Sequence, residues 1–260
     1  MKKPTIYSIA LVLAMGASLL FAERAGAQDG MAQLPDLRTV VPLHLQIMNK
    51  QQREILRFSN GVANTGDGPW RMRPRFPVSD TLQTQDAIQE ILDAHGNLIE
   101  EKVVSQFEFH TEHSHWHING IALFEVRQGS PDGPVYGGNS LKTTFCLIDW
   151  YKLEGNSNTP GRTYADCGGS YQGISVGWVD QYHHSTGGQQ LDISGAPAGL
   201  YYLVSTANPD GIFIEKDYTN NTAWVGFNLT RESNGNPKIQ IISHSPCDSP
   251  GLCGERAPNR

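Results

Sequence analysis

Residues 110–117 read His110-Thr111-Glu112-His113-Ser114-His115-Trp116-His117, and four of the nine histidines of the chain fall within these eight positions. The flanks, Val103 to Phe109 and Ile118 to Val126, are rich in β-branched and aromatic residues, which is strand composition. Side chains alternate along a strand, so His113, His115 and His117 are expected on one face, and Ser114 and Trp116 on the other. Three imidazoles facing one way form a metal-binding pattern, whereas a tag-like histidine run is contiguous and lacks an apolar frame. In a fully extended strand the first and third Cα atoms lie roughly 13 Å apart, so one ion requires a twist, bulge or bend to gather all three. Imidazole suits copper, zinc, nickel and iron alike, and the spacing by itself does not choose among them.

On either side of this stretch the chain is a succession of short apolar runs separated by turn residues, with 27 glycines and 15 prolines to break them. Thr39 to Ile47 and Arg53 to Val62 read as strands. Trp70 and Met72 then alternate with Arg71, Arg73 and Arg75, a basic row expected on a solvated strand face. Thr81 to Glu100 fits either a short helix or one strand of a hairpin, with His95 in a turn. Gly129 to Ser140 reads as a surface loop and Leu141 to Trp150 as the next strand; further short strands follow at 191–194, 199–207, 212–214, 222–229 and 239–243. This pattern predicts an all-β chain: a single antiparallel β-sandwich whose long irregular loops carry the site. It contains no dinucleotide-binding fingerprint, P-loop, nucleophile elbow or fixed-period repeat.

The first residues combine Lys2 and Lys3, an apolar run from Ile9 to Phe21, and Ala25-Gly26-Ala27, the plan of a secretory signal peptide over residues 1–27. Residues 28–33 are expected as a flexible N-terminus, 34–245 as the folded domain and 246–260 as a C-terminal tail. The mature chain is then secreted or periplasmic, without a membrane span. Four cysteines in an exported protein imply two disulfides. Cys146–Cys167 and Cys247–Cys253 each close a short loop and are the favoured pairing, although three connectivities are allowed. The formal net charge of −6 argues against nucleic-acid binding. Removal of residues 1–27 makes the charge more negative still.

Four further stretches, read in order, narrow the chemistry. Leu34-Pro35-Asp36-Leu37, the histidine stretch, Lys142-Thr143-Thr144-Phe145-Cys146-Leu147, Gln172-Gly173-Ile174-Ser175 through Asp180-Gln181-Tyr182, and Glu215-Lys216-Asp217-Tyr218-Thr219-Asn220-Asn221 resemble the successive motifs of the lysyl oxidase family. The resemblance covers nearly the whole mature chain. It implies Cu(II) on His113, His115 and His117. His110, of opposite strand parity, is a supporting or alternate ligand. It also implies a lysine tyrosylquinone made from Lys142 and Tyr182, with a primary amine and O2 as substrates. Asp180 lies two residues before Tyr182 and would share its strand face, which makes it the first candidate for the base, with His183 and His184 as competitors. Glu215, Asp217, Asn220 and Asn221 are hard oxygen donors suited to Ca2+, and the resemblance adds Asp36 and the Leu37 carbonyl. Two other readings of the histidines are an exported copper-binding or matrix-binding module without catalysis, and a zinc hydrolase. The chain has fewer cysteines than the animal members of the family.

Overall fold

The computed structural model describes residues 30–50, 52–79, 82–111, 114–153 and 159–254, with backbone only at 138–140 and 142. The signal peptide expected at 1–27 lies outside the described residues. In chain order the elements are β1 (Leu37–Thr39), β2 (Leu43–Lys50), β3 (Arg53–Asn64), β4 (Trp70–Pro74), β5 (Thr84–Leu92), β6 (Leu98–His110), β7 (His115–Gln128) and β8 (Val135–Phe145). They continue as β9 (Tyr151–Lys152), β10 (Gln172–Ile174), β11 (Trp178–Tyr182), β12 (Gln190–Asp192), β13 (Gly199–Ala207), β14 (Thr222–Arg231), β15 (Pro237–His244) and the single-turn helix α1 (Pro250–Cys253).

The strands form two antiparallel sheets, as the composition predicts. The larger runs β10-β4-β5-β6-β7-β13-β14-β15, with β8 also on β7; the smaller runs β1-β3-β11-β9, with β2 and β12 also on β3. Alternating apolar residues from both sheets meet in one core. Phe58 of β3 packs edge-on against Phe124 of β7 at 4.8 Å, and Thr39 Oγ1 lies 2.7 Å from Ser205 Oγ. Fully burying each large apolar side chain contributes roughly 1.5–3 kcal/mol, so such inward positions decide which face of each strand points in.

Several expectations change in the structure. Thr81 to Glu100 resolves as the β5–β6 hairpin, and the Asp93 carboxylate closes its turn by accepting from the backbone N–H of His95 and of Asn97, each at 2.8 Å. The turn chemistry overrides the helical spacing. The loop expected over 129–140 ends early, because pairing with β7 starts β8 at Val135; Gly137, at φ 58°, permits the irregular path. The strand expected to reach Trp150 stops at Phe145. The arginine row is ion-paired across strands: Arg71 Nε and Arg73 Nε meet Glu90 at 2.9 and 2.7 Å, and Arg75 Nε meets Asp86 at 2.7 Å. Backbone pairing already begins at Gln33, which bridges Leu92. In the tail, Leu252 of α1 packs with Val40, Ala63, Tyr151 and Val179. Both disulfides have the expected partners, Cys146–Cys167 and Cys247–Cys253.

Candidate functional site

The histidine stretch is a hairpin and not one strand. β6 ends at His110 and β7 begins at His115, with Ser114 in the left-handed region at φ 54°. His113 and Glu112 lie outside the described residues. The ladder sets His110 opposite His115 and Glu108 opposite His117. Reversal of the chain supplies the bend that an extended strand lacked, so the parity argument against His110 does not apply: its ring stacks on that of His117 with centroids 4.1 Å apart. His115 Nε2 and His117 Nε2 lie 2.9 Å apart. Two metal–nitrogen bonds of about 2.0–2.1 Å place ligand nitrogens roughly 3 Å apart, so this pair already has the spacing of two ligands on one ion. His117 is buried, and its Nδ1 lies 3.1 Å from Thr144 Oγ1. With Nδ1–H donating to that hydroxyl, Nε2 is left bare to coordinate. Trp116, on the opposite face, is buried against Phe107 and Phe109 and fixes the strand's roll.

The strand that reaches His117 also reaches Tyr182. On β8, Thr144 contacts His117, the Phe145 ring stacks on Tyr182 at 4.0 Å, and the next carbonyl, of Cys146, accepts the Tyr182 hydroxyl at 2.5 Å. The backbone of Lys142 lies two positions before Thr144, opposite Leu123 of β7. Tyr182 ends β11, which pairs with β3 of the other sheet, and Asp180 sits opposite Val62 with the parity of Tyr182. Both are buried. The Cys146–Cys167 bridge fastens the histidine strand as well, because Trp116 N–H donates to the Cys167 carbonyl at 3.4 Å. His183 and His184 follow Tyr182 and lie against His44 of β2, with ring centroids 5.6 and 5.9 Å from it.

Three supporting residues were missed in the sequence. Thr144 is one. Gln172 is fully buried; its amide donates to the Trp116 carbonyl at 2.7 Å while its oxygen accepts from Leu147 N–H at 3.2 Å, tying β7 to the segment after β8. Asp149 is also fully buried and accepts from the N–H groups of Thr163, Tyr164 and Ser175 and from the Ser175 hydroxyl, all within 3.1 Å. An acid inside the apolar run Phe145-Cys146-Leu147-Ile148-Asp149-Trp150 was the available signal. Gly173 has its own reason in the adjoining motif: a Cβ there would come within 2.3 Å of the Trp70 carbonyl.

The expected oxygen-donor set converges in part. Glu215 is buried, with Oε1 accepting from Asn208 and Asn221 at 2.5 and 2.8 Å and Oε2 from the Leu37 N–H at 3.0 Å. Asn220 donates to Asp36 at 3.0 Å. Leu37 thus reaches the cluster through its N–H, whereas Asp217 accepts from Thr219 within its own turn. The side-chain oxygens of Asn220 and Asn221 are buried and have no hydrogen-bond partner among the described residues. Burial pushes the Glu215 carboxyl above its usual range, against the three hydrogen bonds that favour its charge.

A sequence profile for the family described as lysyl oxidase matches residues 86–235, a span that includes the hairpin, β8, β11 and Glu215. Lysyl oxidase homolog 1 of Homo sapiens is 30% identical over 125 residues, 48% of this chain and 21% of the relative. Protein-lysine 6-oxidase of Gallus gallus is 32% identical over 116 residues, 44% of this chain and 26% of the relative. Lysyl oxidase homolog 3A of Danio rerio is 28% identical over 169 residues, 65% and 18% respectively. The matched region therefore covers about a quarter or less of each of these three relatives.

Proposed function

Because the chain belongs to the lysyl oxidase family, we propose that it oxidises primary amines, peptidyl lysine or small alkyl amines, to aldehydes, consuming O2 and water and releasing ammonia and hydrogen peroxide. Copper held by His113, His115 and His117, with a lysine tyrosylquinone derived from Lys142 and Tyr182, would supply the redox chemistry when present. The donor set suits that ion: neutral imidazoles, two of them with Nε2 atoms 2.9 Å apart. The observation that carries the reading is the short run from Thr144 at the end of β8 to Cys146 just beyond it, which touches His117 at one end and Tyr182 at the other.

The residues divide the remaining work. Thr144 holds the His117 ring by Nδ1, and His110 stacks on that ring as a support or alternate ligand. The Cys146 carbonyl and the Phe145 ring hold Tyr182 in place. Asp180 is the base that takes a proton from the substrate carbon bearing nitrogen; it is buried on the same strand face as Tyr182, where water competes little for that proton. A Ca2+ ion at Asp36, Glu215, Asn220 and Asn221 would satisfy the two unpartnered amide oxygens and tie the N-terminal segment to the turn after β13. Two disulfides fit action outside the cytoplasm, and no helix among the described residues is long and apolar enough to cross a membrane.

The test is amine-dependent peroxide release by copper-loaded protein, alongside Tyr182→Phe. Activity in the wild type and none in the variant is expected. Copper binding with no peroxide from any alkyl amine or lysyl peptide would leave the non-catalytic copper module, and zinc-dependent hydrolysis indifferent to Tyr182 would leave the hydrolase.

A further inference from the structure

Away from the hairpin, a second group of imidazoles meets on the smaller sheet. His44 on β2, and His183 and His184 just beyond β11, each present a ring nitrogen, and these three atoms all lie within 4.8 Å of one another. We propose that they form a second metal site, taking a divalent ion of the zinc and copper group through three imidazoles, with solvent completing the coordination.

The backbone around the trio aims the rings at one another. The β2–β3 register slips between Leu43 and Gln46, and His44 sits in that irregularity at φ 51°, a conformation costly for a residue with a Cβ. Its Nδ1 lies 2.9 Å from Ser59 Oγ, the same oxygen that accepts the His184 backbone N–H at 2.9 Å. Ser59 is fully buried and its oxygen has two lone pairs, so it can accept from both. In that arrangement His44 Nε2 is bare, the orientation that a hydroxyl or carbonyl partner gives a metal-bound histidine. Ser185 Oγ holds His183 by Nδ1 at 2.8 Å in the same way. His184 Nδ1 is buried without a hydrogen-bond partner among the described residues, an unmet polar atom that coordination would satisfy.

The loop itself is clamped. Arg57 donates to the carbonyls of His184 and Thr186, at 2.5 and 2.8 Å, and to Gln190 Oε1 at 2.9 Å, which holds the two adjacent histidines in register with His44. Burial, and then the neighbouring His183, lower the proton affinity of both His44 and His184. Among the described residues no carboxylate belongs to the cluster, so its donors select a borderline ion over Ca2+ or Mg2+. His44 is exposed while the other two are half-buried, which leaves a coordination position open to solvent.

The experiment is Zn2+ titration of metal-stripped full chain in excess Ca2+, with bound metal counted by elemental analysis. Wild type should hold one equivalent more than His44→Gln/His184→Gln. Because the readout is that difference, it does not depend on the hairpin; His115→Gln/His117→Gln tests the hairpin separately and should keep the second-site equivalent. Folding is checked by near-UV circular dichroism. Should the double variant unfold, the exposed single change His44→Gln serves instead and should weaken this equivalent at least about tenfold. Co2+ loaded into His115→Gln/His117→Gln should give visible d–d bands that His44→Gln abolishes. Equal stoichiometry and affinity in wild type and the His44 variants, or Co2+ bands indifferent to His44, would overturn the site.

Discussion

The hairpin histidines come from one eight-residue stretch and are held by a regular ladder, His110 opposite His115 and Glu108 opposite His117. His44 and the His183–His184 pair instead meet from two distant segments of the chain, where the β2–β3 register slips. In the first region one local stretch supplies the imidazoles, and antiparallel pairing of its two ends gathers them. In the second, only the packed sheet brings the imidazoles together, and a buried serine lies beside His44 Nδ1 as Thr144 lies beside His117 Nδ1. Periodicity therefore exposes one cluster and conceals the other.

The largest expected effect separates chemistry from metal binding. Asp180→Asn should lower kcat/KM for a primary amine by about 10²–10⁴-fold, the usual worth of a positioned base, while both histidine clusters retain their metal; steady-state peroxide assays paired with metal analysis check this. Loss of metal along with activity would mean that Asp180 holds the fold of β11 and not the reaction.

The next prediction concerns the bridge behind the hairpin. Cys146→Ser/Cys167→Ser opens a loop with a sequence separation of 21 and should cost about 3 kcal/mol of stability, read as a lower Tm. Because Cys146 and Cys167 touch Tyr182 and Trp116, peroxide formation should fall as well, whereas Zn2+ binding at His44 should persist in the folded fraction. A smaller effect is expected from Thr144→Val, which removes the hydroxyl beside His117 Nδ1. Copper affinity should fall about 10–100-fold by competition with a chelator, with no change at the second cluster; an unchanged affinity would break the parallel between Thr144 and Ser59.

The smallest effect belongs to neither cluster. Burial raises the Glu215 pKa above its ordinary value of 4.5, so the folded state holds a proton that the unfolded state has already released. Stability is then greatest below 4.5 as far as this group is concerned, declines as pH rises from there through the raised folded value, and stays lower above it. Denaturant titrations of wild type and Glu215→Gln across that range should differ in slope, and added Ca2+ should remove the decline if it binds there.

Much of this organisation was legible in the chain. The fold class followed from short alternating runs and abundant turn residues, and both disulfides followed from local spacing. Two strands in the motif order of the family carry Thr144 and Tyr182. The single-strand reading of the hairpin fails because Phe109 and Trp116 are equally at home on either side of a turn, and the polar sequence between His110 and His115 also suits an exposed strand face. Val135 enters β8 despite the surrounding glycines because β7 offers it hydrogen bonds that no local propensity encodes. Asp149, Gln172 and Ser59 act only through partners distant in sequence, so their roles appear with the fold and not before it.

In the proposed reaction Lys142 and Tyr182 become one cofactor beside a copper-loaded hairpin. Peptide mass mapping after aerobic loading with copper tests it most directly. A cross-linked species that contains both residues, and is absent when loading is done without O2, is expected; recovery of the Lys142 and Tyr182 peptides as separate, unmodified species from protein whose hairpin holds copper would contradict the proposed cofactor.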